Sequence, residues 1–142
     1  MRFLSGKEKK ELKEKLPIGY EIDKKDNIKE QDNILFKDDQ KLFIIKNNKY
    51  LPHLRTFLQE NYKSIYVDDG AVKFLAKGAD LMKPGIEEIE FGFEKDDIVQ
   101  IKNKKLPKVL ALGIAMYSDK QIDEMTQGKV VQIYHFIGDE FY

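Results

Sequence analysis

The chain has 142 residues, 42% hydrophobic and 35% charged, with 25 basic and 25 acidic side chains and no cysteine. This composition supports a packed core and excludes a disordered chain, while the missing cysteines exclude disulfides, thiol nucleophiles and zinc knuckles. No run approaches the roughly 18 consecutive apolar residues of a membrane span, and Met1-Arg2-Phe3-Leu4-Ser5 leads straight into a Lys/Glu stretch without a secretory pattern, so a cytoplasmic address is expected. The neutral total hides an asymmetry. Residues 1–62 carry 14 basic and 11 acidic side chains, and residues 63–142 carry 11 and 14. Any nucleic-acid surface must therefore be a local patch, since no global basic field exists to supply one.

Ser5-Gly6-Lys7-Glu8 has the pattern of a capping box and opens a polar helix that docks through Leu12 and Leu16 and ends at Pro17 and Gly19. Tyr20-Glu21-Ile22, Asn33–Phe36 and Leu42–Ile45 read as short extended runs, punctuated by turns at Asp38-Asp39 and Asn47-Asn48. Leu51, Leu54 and Leu58 then fall at helical spacing, with Pro52 suited to a first helical turn. Ile65-Tyr66-Val67 reads as a strand. Asp68 or Asp69 caps a helix over Gly70–Lys77, and Gly78 ends it. On this helix Ala71, Val72, Phe74, Leu75 and Ala76 cover one arc, and Lys73 and Lys77 occupy the remaining face. Ala79–Met82 is a short extended piece and Lys83-Pro84-Gly85 a turn. The acid-rich stretch 87–97 leads into the strand Ile98–Ile101, followed by a basic turn with Lys102, Lys104, Lys105 and Lys108. Val109–Met116, interrupted by Gly113, has the pattern of a central buried strand. Ser118 caps a further helix with Gln121 in the capping-box position, Gly128 closes it, and Val130–Phe136 is the last strand.

Many short strands with Gly and Pro turns argue for a small barrel in the second half. There the segment Val67-Asp68-Asp69-Gly70-Ala71-Val72-Lys73-Phe74-Leu75, followed by Gly78-Ala79-Asp80-Leu81-Met82-Lys83-Pro84-Gly85-Ile86, resembles the opening of a PUA domain. Leu110–Met116 resembles its central strand, and Lys129–Tyr142 its final strand and turn. Upstream, Leu42-Phe43-Ile44, Tyr50–Arg55 and the Lys-rich first helix are similar to the N-terminal domain of the malignant T-cell amplified sequence family, whose relatives include ligatin-type translation factors and archaeal proteins. The resemblance implies an α+β N-terminal domain over 1–62 and a mostly-β PUA pseudobarrel over 63–142. It also implies binding of structured RNA (rRNA or tRNA ends) and association with the small ribosomal subunit. Eukaryotic members pair with a second protein bearing a translation-initiation-type domain. No cofactor is implied.

Carried over from PUA domains, the RNA-binding candidates are Lys73, Lys77, Gly78, Ala79, Met82, Lys83, Pro84 and Gly85. The residues themselves agree in part, because lysines beside bare glycine backbone suit phosphate and ribose contacts. Simpler roles stand beside these: Gly78 as a helix cap, Pro84-Gly85 as a turn, the lysines as solvated surface, and Lys102–Lys108 as a solvated hairpin. His53 and His135, one in each half, do not have the spacing of a metal site. Ser5 and Ser118 are used as caps, no Ser/His/Asp order or phosphate loop is present, and the paired aspartates do not converge on one atom, so no catalytic residue is expected. The alternative to RNA binding is a protein-interaction module that docks a translation-factor partner through the N-terminal domain.

Overall fold

Every residue, 1–142, is described by the computed structural model, whose contacts group residues 1–61 with Phe141 into one unit and residues 62–140 with Tyr142 into a second. The first unit is a five-stranded antiparallel meander, β1 (Arg2–Phe3), β2 (Ile28–Gln31), β3 (Ile34–Lys37), β4 (Gln40–Lys46) and β5 (Lys49–Pro52), in sequential order. Three two-residue turns connect the last four strands: Asp32-Asn33, Asp38-Asp39 and Asn47-Asn48. All six residues have positive φ, between 49° and 67°. Tight hairpins need this backbone to follow the strand twist, and Asn and Asp are the side-chain-bearing residues that tolerate it best. The single helix, α1 (Gly6–Lys13), begins at the expected capping box: Glu8 N–H donates to Ser5 Oγ and Ser5 N–H donates to Glu8 Oε1. Leu12 is buried, and Leu16 packs at the margin of a core formed by Leu4, Ile22, Ile28, Leu35, Leu42 and Phe43. The Phe43 ring lies 4.9 Å from that of Tyr20 and 6.2 Å from that of Tyr50.

This unit is mostly β, and the α+β expectation gives way to it. The Leu51–Leu58 periodicity does not produce a helix. Leu51 pairs with Ile44 and Pro52 with Phe43 at the end of the edge strand β5, where a missing N–H costs the sheet nothing. Two short 3-10 turns follow, Leu54–Thr56 and Gln59–Asn61. Tyr20–Ile22 forms no strand. β2 carries no alternating apolar signal, since three of its four residues, Lys29, Glu30 and Gln31, are polar and only Ile28 is buried.

The second unit contains β6 (Lys63–Val67), α2 (Asp69–Leu75), β7 (Leu81–Met82), β8 (Ile86–Ile89), β9 (Ile98–Lys102), β10 (Ala111–Ala115), α3 (Asp119–Glu124) and β11 (Lys129–Phe136). Its strands form one sheet in the order β7-β11-β10-β9-β6-β8. The two edge strands, β7 and β8, are joined by only three residues, Lys83–Gly85. Four Cα steps span at most about 14 Å. Opposite edges of a flat six-stranded sheet would lie about 24 Å apart. The sheet must therefore curl until its edges meet, and the Lys83–Gly85 turn is the seam of a nearly closed barrel. The interior is filled by Ile65, Val67, Leu81, Phe93, Val99, Ile101, Ala111, Ala115, Val130 and Val131, with Leu75 of α2 and Ile122 of α3 packed among them. β10 lies between β9 and β11 and is buried at four of its five positions, as its apolar run suggested.

Gly113 sits at a register shift between β10 and β11. A Cβ there would lie 2.8 Å from Gln132 O and closer still to Val131. Replacing it forces the two strands apart within the buried part of the sheet. Gly113→Ala is expected to lower unfolding free energy by about 1–3 kcal/mol. Gly6→Ala, with nothing within 4 Å of the new methyl group, should not lower it. Chemical denaturation of the two variants checks this contrast.

α3 is held to the barrel by Asp119, which is nearly buried at 7% exposure. Its carboxylate accepts from the backbone N–H groups of Gly92, Phe93 and Lys120. The Gly92 bond, aided by the other two, holds its pKa below the ordinary carboxylate value against the opposing effect of burial. A depressed folded-state pKa stabilises the fold above the unfolded value, near pH 4, and that contribution is lost as pH falls through the folded value. Asp119→Asn is expected to be less stable than wild type at pH 7 and to lose less stability between pH 5 and 2. Thermal melts across that range measure both effects.

Candidate nucleic-acid interface

α2 lies against the barrel seam. Asp68 caps it, its Oδ1 accepting from Ala71 N–H at 2.8 Å, while Asp68 N–H donates to Gly85 O at 2.9 Å. One residue thus fixes the start of the helix and ties it to the turn. A Cβ on Gly85 would lie 2.9 Å from Ala71 Cβ, so helix and turn pack at a distance that only glycine permits. At the other end, Gly78 has φ of +87° and faces the Phe136 ring at about 3 Å from a would-be Cβ; Gly78 and Ala79 N–H groups close the helix on Leu75 O and Phe74 O. The C-capping role read from sequence is its structural role.

Between α2 and the seam opens a cleft of about 540 Å³, within the range of small-ligand sites. Its walls are mostly apolar: Ala71, Phe74 and Leu75 on the helix side, Leu81, Met82, Pro84 and Gly85 on the seam side, and Ala79 between them. Phe74 is 66% exposed and Met82 47% exposed, large apolar surfaces left in water at this cleft. The polar lining consists of Asp68, Asp80 and Lys129. Asp80 Oδ1 accepts from Ile133 N–H at 2.8 Å, and its Oδ2 lies 3.0 Å from Lys129 Nζ.

Of the eight residues singled out from sequence, Ala79, Met82, Pro84 and Gly85 line this cleft. Gly78 lies outside it at the helix end, and Lys73 and Lys77 are exposed and do not line it. Lys83 is half-buried. Its N–H donates to Gly128 O and its Nζ to Asp123 O at 3.3 Å, so this lysine also fastens the turn. The sequence pattern places Phe74 on the packed arc of the helix. The structure turns it outward, because seven helical residues present only Leu75 to the interior, with Ala71 and Val72 at its margin. Lys129 carried no sequence signal, since it is 46 positions from Lys83; only the pairing of Lys129 with Met82 brings it here.

Next to the cleft, Asp69 accepts from Asn103 Nδ2 at 3.1 Å and from Lys105 Nζ at 2.8 Å. The Lys105 bond, then the Asn103 bond, draw its pKa below the usual carboxylate range, and the same contact raises that of Lys105. His135 is fully buried with Nδ1 2.9 Å from the Asp139 carboxylate, which also accepts from Phe136 and Tyr142 N–H groups; it closes the C-terminal turn.

Residues 63–137 match the PUA domain family. The chain belongs to that family. Among similar curated proteins is translation machinery-associated protein 20 of Saccharomyces cerevisiae, 31% identical over 72% of this chain and 61% of the yeast protein. The chain thus spans less than two thirds of this relative's length. A hypothetical protein from the hyperthermophilic archaeon Pyrococcus horikoshii has a solved structure similar over 98% of this chain and 95% of its own, at 28% identity and a TM-score of 0.76. A chain from the structure of an H/ACA RNP bound to a substrate RNA is similar over 67% of this chain and 29% of its own, at 28% identity and a TM-score of 0.55. The PUA resemblance of the second unit is thereby upheld, and with it a similarity to the translation-associated relatives. No helix is long and apolar enough to cross a membrane.

Asp80 holds the cleft's inner edge to β11. Asp80→Ala leaves Ile133 N–H without its acceptor and Lys129 without its partner, and is expected to cost about 1–3 kcal/mol of stability. Asp80→Asn keeps an acceptor for Ile133 and should retain more than half of that. Urea denaturation of the pair separates the backbone bond from the ion pair.

Proposed function

We propose that this protein is a non-catalytic RNA-binding protein acting in translation, and that the cleft between α2 and the seam receives an unpaired nucleotide of a structured RNA. The observation that carries this reading is the exposure of Phe74 and Met82 at the mouth of an apolar cleft in a PUA fold. Proteins that read RNA loops and ends stack splayed bases on aromatic side chains, and an apolar slot with few polar groups suits a base better than a phosphate. In this reading Met82, Pro84, Gly85 and Ala79 form the slot with Phe74. Lys129, the one cation in its lining, faces the sugar-phosphate of the bound nucleotide. Lys73 and Lys77, on the exposed side of α2, contribute phosphate contacts, with the Gly78 backbone at the turn between them and the slot. Lys83 holds the seam in place and lies at the border of the slot, where it adds a phosphate contact. The similarity to a yeast translation machinery-associated protein and to a chain of an RNA-bound particle supports the assignment, and rRNA or a tRNA end is the target class it favours. Association with the small ribosomal subunit, and with a translation-initiation-type partner through the N-terminal unit, belongs to the same proposal.

Phe74→Ala tests it. With its ring in solvent, the variant should melt with wild type, yet bind bulk tRNA roughly tenfold or more weakly, in line with about 1–3 kcal/mol per stacked base. Lys73→Glu/Lys77→Glu should weaken binding less at high salt than at low, as phosphate contacts do. Filter binding across a salt series reads both. A folded Phe74→Ala protein with unchanged affinity would exclude the cleft as the RNA site.

A further inference from the structure

The loop between β9 and β10 is fastened to the cleft wall. Asn103, at its start, is 4% exposed. Its Nδ2 donates to Val67 O at 2.9 Å and to Asp69 Oδ1 at 3.1 Å, and its Oδ1 accepts from Lys105 N–H at 3.0 Å. One buried amide thus holds the loop to both the end of β6 and the start of α2. Asp69 stands between Asp68 and Gly70, and both of those line the cleft. The loop that follows reads Lys104-Lys105-Leu106-Pro107-Lys108, every residue of it exposed, with Leu106 at 43%. The loop thus carries three lysines in water, anchored at its start beside the N-terminal end of α2.

Its charges are available. The Lys105–Asp69 pair is 2.8 Å long, but the two side chains are 77% and 65% exposed, so solvent screens it and little is lost when it opens. The loop does not depend on it, because Asn103 remains bonded to Val67 O. Lys104 lies 3.6 Å from Glu88 with both side chains more than half exposed, again a weak pair. A phosphate oxygen arriving at Lys105 can replace the Asp69 carboxylate with an equivalent charge-assisted bond.

We propose that the Lys104–Lys108 loop is a second RNA contact, which follows the phosphates flanking the nucleotide in the cleft, and that Asp69 is the anion those phosphates displace from Lys105. This rests on the RNA reading of the cleft and extends it from a single-nucleotide slot to a track with a defined direction, from the seam across the N-terminal end of α2 to the loop. Asp69 then acts as a built-in competitor that weakens binding to any polyanion lacking the nucleotide the cleft accepts.

Four proteins test this with bulk tRNA as the probe, titrated by filter binding from 50 to 300 mM salt: wild type, Lys105→Ala/Lys108→Ala, Asp69→Asn and Phe74→Ala. The loop variant should bind several-fold more weakly, with a salt slope shallower by about 1, as expected for one or two lost phosphate contacts at roughly 0.7 each on a single strand. Asp69→Asn keeps an acceptor for Asn103 but frees Lys105, and should bind two- to fivefold more tightly. If Phe74→Ala weakens binding while the loop variant and Asp69→Asn match wild type in affinity and slope, the loop is solvated surface and this inference is overturned with the cleft reading intact. If Phe74→Ala also matches wild type, or wild type does not bind, the RNA reading of the cleft falls and takes the loop proposal with it. Thermal melts of all four proteins establish that each is folded.

Discussion

The second unit depends on one constraint: two opposite edges of a six-stranded sheet are joined by three residues, Lys83–Gly85. The connection is too short for any open sheet, so it obliges the strands to curl and brings β7 and β8 together. Everything at the candidate interface is built on that seam. Asp68 ties α2 to Gly85 O, Gly85 lets Ala71 approach to van der Waals contact, and Lys83 fastens the turn to Gly128 and Asp123. The cleft is the space left where the helix lies over a closure with too little side chain to fill it: a proline, a glycine and the alanine at position 79. Cleft and closure therefore draw on the same residues, and a substitution at the seam alters both.

Electrostatics plays a smaller part than a nucleic-acid surface usually gives it. The protein has no net charge, and the cleft holds two carboxylates against one lysine. In the proposed reading, long-range attraction of a polyanion is weak, and affinity comes from burying apolar surface at Phe74 and Met82, with phosphate contacts at its borders. On that reading the site takes RNA with an accessible unpaired base in preference to uniform duplex. The acid-rich stretch 87–97 is consistent with this division: Glu87 and Glu88 are exposed on the edge strand β8, where charge also discourages pairing with another sheet.

Most of the second unit was legible in the sequence, but the edge strand β8 lay hidden at the start of the acid-rich stretch, and α3 ends at Glu124, short of the Gly128 expected to close it. The unit's caps are side chains bonding their own neighbours, at Ser118 and Asp68, and local chemistry of that kind is written in three or four consecutive residues. Its central strands β10 and β11 are mostly apolar runs. The first unit was less legible. Two of its three hairpin turns, Asp38-Asp39 and Asn47-Asn48, stand out as Asp and Asn pairs, but β2 is nearly all polar, and the leucines at 51, 54 and 58 mimic a helix while Leu51 and Pro52 serve an edge strand. The candidate site was half legible. The seam residues stood out through Pro84 and Gly85. The exposure of Phe74 did not, because an amphipathic pattern cannot tell how wide a stripe a two-turn helix will bury. Lys129 and the Asn103 clip were invisible for a different reason: both reach the cleft through strand register and a long-range side-chain bond.

The most direct test of the central claim is an NMR titration of the full, isotope-labelled chain with a short RNA hairpin bearing a single-stranded 3′ extension. Binding in the cleft predicts the largest amide shifts at Gly70–Leu75, Ala79–Gly85 and Lys129, and predicts that the same hairpin without the extension produces much smaller ones. Shifts of equal size with and without the extension, or shifts confined to residues 1–61, would contradict the account.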